Sequence, residues 1–191
     1  MNQEIEIEYK TLLTKEAFDK LNKVLPFPQT ATKQVNYYFE TADLKLKEKR
    51  SAIRIREKQH SIVLTLKQPH PDGILETHER LTEEEFTAFL QNNISYKEHI
   101  GKQLSALGID MTDLQYFGAL TTYRRSFLAD GIEYVLDESH YGNKIDFELE
   151  IEAGSATSGT KAFQTLLQEH QIEQLASITK IERFFNEMYQ S

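Results

Sequence analysis

Polar and apolar residues alternate strictly near the start of the chain. Glu4-Ile5-Glu6-Ile7-Glu8-Tyr9-Lys10 sets three carboxylates and an ammonium on one side of an extended backbone and Ile5, Ile7 and Tyr9 on the other. A near copy returns late in the chain as Glu148-Leu149-Glu150-Ile151-Glu152. Between them, Arg54-Ile55-Arg56-Glu57-Lys58 and Thr65-Leu66-Lys67 alternate in the same way but carry cations. Residues 51–58 and 61–68 flank Gln59-His60 as a hairpin, and Pro69-His70-Pro71-Asp72-Gly73 turns the chain into another strand at about 74–80. With an aromatic strand at Val35 to Phe39, the first half reads as an antiparallel meander. Strands return at Leu120 to Leu128, at Ile132 to Glu138 after an Asp130-Gly131 turn, and at Ile145 to Ala153.

Helices punctuate this pattern. Thr14 caps a short one whose Phe18, Leu21 and Leu25 recur at helical spacing before Pro26 and Pro28 stop it. Thr82 and Glu85 form a capping box for a helix with a Phe86, Phe89 and Leu90 stripe, and a second runs from about Lys97 to Leu107 with Gly108 at its end. A Gly/Ser/Thr loop at 154–160 precedes a helix carrying Phe163, Leu166 and Leu167, and a last helix or irregular tail holds Ile181, Phe184 and Phe185. There are thus two strand blocks, each followed by helix, with no low-complexity linker between them. The expectation is an α+β fold and a single domain over 1–191, its sheet assembled from both halves and its strand content of about 40% suited to a closed barrel.

Charge then narrows the chemistry. The 191 residues carry 30 acidic and 22 basic side chains, a net charge of -8, which argues against nonspecific nucleic-acid binding. There is no cysteine, so neither a disulfide framework nor a thiolate metal site is available. Any metal must be held by oxygen or imidazole, which suits hard cations such as magnesium or manganese. No stretch approaches the ~20 apolar residues of a membrane span, and the polar start is unlike a signal peptide. A soluble, cytoplasmic protein is expected, with monomer and homodimer both open.

A lone strand of this kind is most simply half-buried with a wet outer face. The repetition changes that, because the alternating positions are almost purely Glu or purely Arg and Lys rather than ordinary surface residues. Burying unpaired charge costs several kcal/mol, so a lumen lined this way must be neutralised by its own acids and bases, by metal and by ligand. Acid alone would hold a metal; acid with several cations points to a phosphate-rich ligand bridging to that metal. No Gly-Lys-Ser/Thr phosphate loop and no Gly-x-Ser-x-Gly nucleophile turn occurs. The six histidines are scattered without zinc-like spacing and read as surface residues, and Asp137, closing the Tyr134-Val135-Leu136 strand, reads equally as a site residue or a turn-starting aspartate.

Glu6-Ile7-Glu8-Tyr9-Lys10 resembles the Glu-x-Glu-x-Lys signature of the CYTH superfamily, the triphosphate tunnel metalloenzymes, which includes class IV adenylate cyclases and thiamine triphosphatases. The resemblance covers nearly the whole chain. Asn36-Tyr37-Tyr38-Phe39-Glu40-Thr41, Ile53-Arg54-Ile55-Arg56, Leu64-Thr65-Leu66-Lys67, Tyr123-Arg124-Arg125, Leu136-Asp137, Glu150-Ile151-Glu152 and Thr179-Lys180-Ile181-Glu182-Arg183 follow in the family's order, and the chain is similar in particular to the branch found in Gram-positive bacteria.

The resemblance implies a closed eight-stranded antiparallel β-barrel, a tunnel taking a triphosphate along its axis, with peripheral helices. Glu6, Glu8, Glu150 and Glu152 would hold Mg2+ or Mn2+, while Arg54, Arg56, Lys67, Arg124 and Lys180 would grip phosphate oxygens. Lys10 would sit beside the reacting phosphate and Asp137 at the metal or the water. Arg124 and its neighbour Arg125 point to opposite faces, and Arg124 is the one assigned. Between Glu79 and Arg80 the alternation leaves the inward residue open, and Glu79 is counted with the substrate ligands. Glu4 and Glu148 share the ligands' parity but are expected at the tunnel mouth. The implied activity is metal-dependent hydrolysis of an inorganic or organic triphosphate. The alternatives are a cyclase forming cyclic AMP from ATP and a module that binds triphosphate or nucleotide without turnover.

Overall fold

The structure, a computed structural model, describes residues 2–175 and 178–190. In chain order its elements are β1 (Asn2–Glu6), β2 (Glu8–Leu13), α1 (Lys15–Val24), β3 (Thr32–Thr41), α2 (Lys45–Glu48), β4 (Ala52–Lys58), β5 (Ser61–His70), β6 (Gly73–Arg80), α3 (Glu83–Leu90), α4 (Glu98–Ala106), β7 (Leu114–Ala129), β8 (Ile132–Tyr141), β9 (Lys144–Ala153), α5 (Ala156–Glu169) and α6 (Lys180–Gln190). They fall into two compact units. One combines the residues up to Ile5 with Gln34–Leu120; the other combines Glu6–Lys33 with the residues from Thr121 onward.

In the first unit the strand order is β1-β6-β5-β4-β3-β7, and in the second it is β7-β8-β9-β2, the long β7 contributing to both. The meander over 52–80 is the expected one. The β4–β5 hairpin closes at Lys58↔Ser61 around Gln59-His60, and Gln59 takes φ +54°. At the β7–β8 hairpin Asp130 and Gly131 both have positive φ, the backbone a two-residue turn needs to follow the strand twist. The α+β architecture of antiparallel strands with peripheral helices is therefore what the chain adopts.

Nine strands are described rather than eight. The first alternating run is not one strand: it breaks at Ile7, where β1, hydrogen-bonded beside β6, gives way to β2, which pairs with β9 from Glu8↔Glu152 onward. The two halves of the run have different partners, and one straight strand could not serve both.

Each unit buries one face of its sheet under helices. In the first unit Phe39, Ile53, Ile55, Leu64 and Leu66 pack with Phe89 of α3 and with Ile100 and Leu104 of α4. In the second, Leu136, Leu149 and Ile151 pack with Phe18 and Leu21 of α1 and with Phe163, Leu166 and Leu167 of α5. Thr82 accepts from Glu85 N, and the Glu85 carboxylate accepts from Thr82 N, as the capping-box spacing requires. Because the side-chain period of a strand is two, the face opposite these cores is the one that carries the charges.

Candidate functional site

The acids of the second unit are placed by register. Asp137 on β8 lies opposite Arg124 on β7 and Glu148 on β9, while Glu150 lies opposite Lys10 and Glu152 opposite Glu8. All of these share the face turned away from Leu136 and Leu149. It is not an ordinary wet face, since Asp137 is 0%, Glu148 1% and Glu150 6% exposed. Charges this deep need partners, and α6 together with β7 supplies them.

Arg124 donates twice to Asp137, through Nε to Oδ1 at 2.8 Å and through Nη2 to Oδ2 at 2.7 Å, and its Nη2 also donates to Glu150 Oε2 at 2.5 Å. Lys180, the first residue of α6, lies 2.5 Å from Asp137 Oδ2 and 3.2 Å from both Glu148 Oε2 and Glu150 Oε1. One turn later Arg183 donates to Asp146 Oδ2 at 2.7 Å and to both oxygens of Glu148. Lys10 donates to Glu8.

These contacts set the charge states. Burial alone would raise the Asp137 carboxyl, but Arg124 and Lys180 outweigh it and hold the group below its ordinary value. Burial would lower the Lys10 ammonium, yet Glu8, Glu150 and Glu148 hold it above its ordinary value, so it stays protonated and acts as a charge. Glu152 goes the other way. Burial pushes its carboxyl up to about 7, with Glu150, Glu133 and Glu8 adding to the rise while Arg124 opposes it.

The structure thus brings together Glu8, Lys10, Arg124, Asp137, Glu150, Glu152 and Lys180 from the residues singled out in the sequence. Glu6 is half-buried at the end of β1. Glu148 is not at a mouth: its place opposite Asp137 and under Arg183 makes it one of the most buried acids in the chain. Arg124 is on the acid face, whereas Arg125 lies opposite Leu136 with its Nε and Nη1 buried and without a hydrogen-bond partner among the described residues. Arg183 and Asp146 were missed, although Arg183 sits i+3 from Lys180, the spacing that puts two helical residues on one face.

The first unit gathers the other cations. Arg54 and Arg56 lie opposite Tyr38 and Asn36 across β3 and β4, and Lys67 pairs with Glu76 on β6. Arg56 Nε donates to Asn36 Oδ1 at 2.9 Å. Arg54 Nε is buried and has no hydrogen-bond partner among the described residues. Glu79 does not belong with them. It faces the helix side opposite Leu64, and its Oε1 accepts from His99 N and Ile100 N, both at 2.9 Å, at the start of α4.

Comparison with known proteins agrees with this placement of elements. The CYTH domain model matches residues 4–185. The chain is 42% identical to "Putative triphosphatase YjbK" of Bacillus subtilis, over all of both chains. It is also similar to a crystal structure from Bacillus halodurans described as a putative adenylate cyclase, at TM-score 0.93 and 39% identity, covering 97% of this chain and 100% of that one. A Hippeastrum protein, "Putative adenylyl cyclase HpAC1", described as having a dominant triphosphatase activity, shares the fold at TM-score 0.77 and 24% identity over 96% of each chain.

Proposed function

This chain belongs to the CYTH domain family, and on that footing we propose that it hydrolyses a phosphoric anhydride bond of a triphosphate with the help of a divalent metal. The observation that carries the reading is the buried second-unit face on which Asp137, Glu148, Glu150 and Glu152 interleave with Arg124 and Lys180. Acids and cations at one place suit a metal-bound polyanion better than either ligand alone. The Bacillus subtilis relative named "Putative triphosphatase YjbK", matched over its full length, supports the same reading.

The donor set fits a hard cation. Glu8, Glu150 and Glu152, with Glu6 from the family signature, offer carboxylate oxygens and no softer atom, so Mg2+ or Mn2+ is the expected metal. Such an ion, when bound, neutralises phosphate charge and makes a bound water more acidic. The chain's own residues do the positioning on which phosphoryl transfer depends. Arg124 and Lys180 donate to non-bridging phosphate oxygens, and Lys10, kept cationic by its glutamates, stabilises charge growing on the transferred group. Asp137 is already engaged by two cations and therefore orients Arg124 and Lys180. Within the first unit, Arg54, Arg56 and Lys67 are the proposed phosphate-binding cations, the buried Nε of Arg54, without a partner among the described residues, being the kind of donor that an anion satisfies.

The test is phosphate release from inorganic triphosphate, thiamine triphosphate and ATP, each with magnesium and with manganese, with cyclic AMP measured in parallel. Metal-dependent release is expected, and Glu150→Gln lowers it ~100-fold or more. Cyclic AMP from ATP without net phosphate release would overturn hydrolysis in favour of the cyclase. Silence on every substrate, with triphosphate still raising the melting temperature, would reduce the protein to a binding module.

A further inference from the structure

We propose that Glu4, Glu76 and His78 form a separate site for a divalent transition-metal ion such as Zn2+ or Mn2+. Glu76 and His78 are two apart on β6 and so share one face, and β1, hydrogen-bonded beside β6, carries Glu4. His78 Nε2 lies 3.2 Å from Glu4 Oε1 and 3.4 Å from Glu76 Oε2, and the three ligand atoms all fall within 4.8 Å of one another. Separations of 3.2 and 3.4 Å from the imidazole nitrogen are those of donors that share one ion at metal–ligand bonds of about 2.0–2.2 Å.

Two further contacts set this group apart from an exposed acid pair. Thr65, itself buried, holds His78 Nδ1 at 2.9 Å, which fixes the ring and aims Nε2 at both carboxylates. A partner on the far ring nitrogen is what a metal-bound imidazole needs in order to keep its tautomer and orientation. Glu76, 4% exposed, is anchored through Oε1 by Lys67, and its Oε2 is the oxygen that approaches His78. Two carboxylates against one ammonium leave net negative charge around the imidazole. One nitrogen and two oxygens, in a chain without cysteine, suit Zn2+ or Mn2+ better than Mg2+. The side chain of Glu4 is 70% exposed and supplies an entry path. All these residues belong to the first unit, so the site does not rest on the triphosphatase reading of the second-unit acids.

The experiment is a metal titration of the full chain, stripped with chelator and without substrate. Histidine ring resonances are followed by NMR as Mn2+ is added, and Zn2+ binding is measured by equilibrium dialysis. Among the six histidines, His78 is expected to broaden first, in wild type and in Glu150→Gln alike. His78→Asn loses one Zn2+ equivalent, and Thr65→Val, which removes no ligand, weakens that equivalent about 10–100-fold. Glu4→Gln, altered at an exposed position that leaves the fold intact, weakens it too. Undisturbed His78 resonances together with unchanged Zn2+ stoichiometry in His78→Asn overturn the proposal. So does His78 broadening that survives Glu4→Gln but disappears in Glu150→Gln, since the ion would then belong to the other unit.

Discussion

Asp137 and Glu152 show how two carboxyls on one face acquire opposite behaviour. Asp137 is fully buried but meets Arg124 twice and Lys180 once, so its ionised form is favoured. A depressed carboxylate contributes stability above its unfolded pKa of about 3.9, and the contribution is lost as pH falls below that value. Removing its charge by Asp137→Asn leaves Arg124 with Glu150 and Lys180 with Glu148 and Glu150, and a loss of about 1–3 kcal/mol in urea unfolding near neutral pH is expected. Glu152 is raised to about 7 by burial and by the neighbouring glutamates. The folded chain therefore holds a proton that the unfolded chain releases near pH 4.5, and stability declines as pH rises from there through 7. Glu152→Gln should thus unfold at higher urea than wild type at about pH 8 in chelator, by about 1–2 kcal/mol, and gain little at about pH 4.5. An equal gain at both values would show that Glu152 does not titrate as its surroundings dictate.

At the scale of elements, local signals were legible where a backbone group or a turn demands a particular residue. Thr14, Thr82 with Glu85, and Asp130-Gly131 did what their chemistry requires. Thr82→Ala removes an acceptor from the first turn of α3 and should cost about 1 kcal/mol in thermal or urea unfolding. The Gly/Ser/Thr run at 154–160 misled, because it reads as loop yet α5 begins at Ala156 under a Ser155 cap. Gly159 stands in that helix for a reason that intrinsic propensity does not contain. A Cβ there would lie 2.5 Å from Tyr9 Cε2 and 3.1 Å from Ala153 Cβ, while the Tyr9 hydroxyl is held by Ala156 O and Thr160. Gly159→Ala is therefore expected to destabilise by about 1–3 kcal/mol, where an open helix site would gain roughly 1 kcal/mol. A measured gain would mean that α5 can move off β2. The short α2 had no sequence signal, since its amides at Leu46 and Lys47 are met by the buried carboxylate of Glu40, one strand earlier.

For the whole molecule the net charge of -8 hides a sorted distribution, with buried acids beside half-buried cations in each unit. No described helix is long and apolar enough to cross a membrane. Lys10 and Lys180 are both held above the ordinary lysine value by neighbouring carboxylates. Their stabilisation is fully present below the unfolded pKa of about 10.4 and is lost as pH rises beyond it. A stability plateau that begins above the Glu152 titration near 7 and is ended by alkaline loss at these lysines is the expected pH profile. Thermal melts across pH that showed steep loss between about pH 8 and 10 would contradict it. The sequence by itself determined the alternation of the strands, most caps and turns, the sorting of acids from bases and the family resemblance, because each is written in residues close together or repeated in order. Tertiary structure decided what depends on which strands become neighbours. Pairing split the first alternating run at Ile7, sank Glu148 opposite Asp137, turned Glu79 to the start of α4, and drew Glu4 and Glu76 around a histidine that had looked isolated. Alternation tells which residues share a face, but only the register between strands tells which charges meet across it.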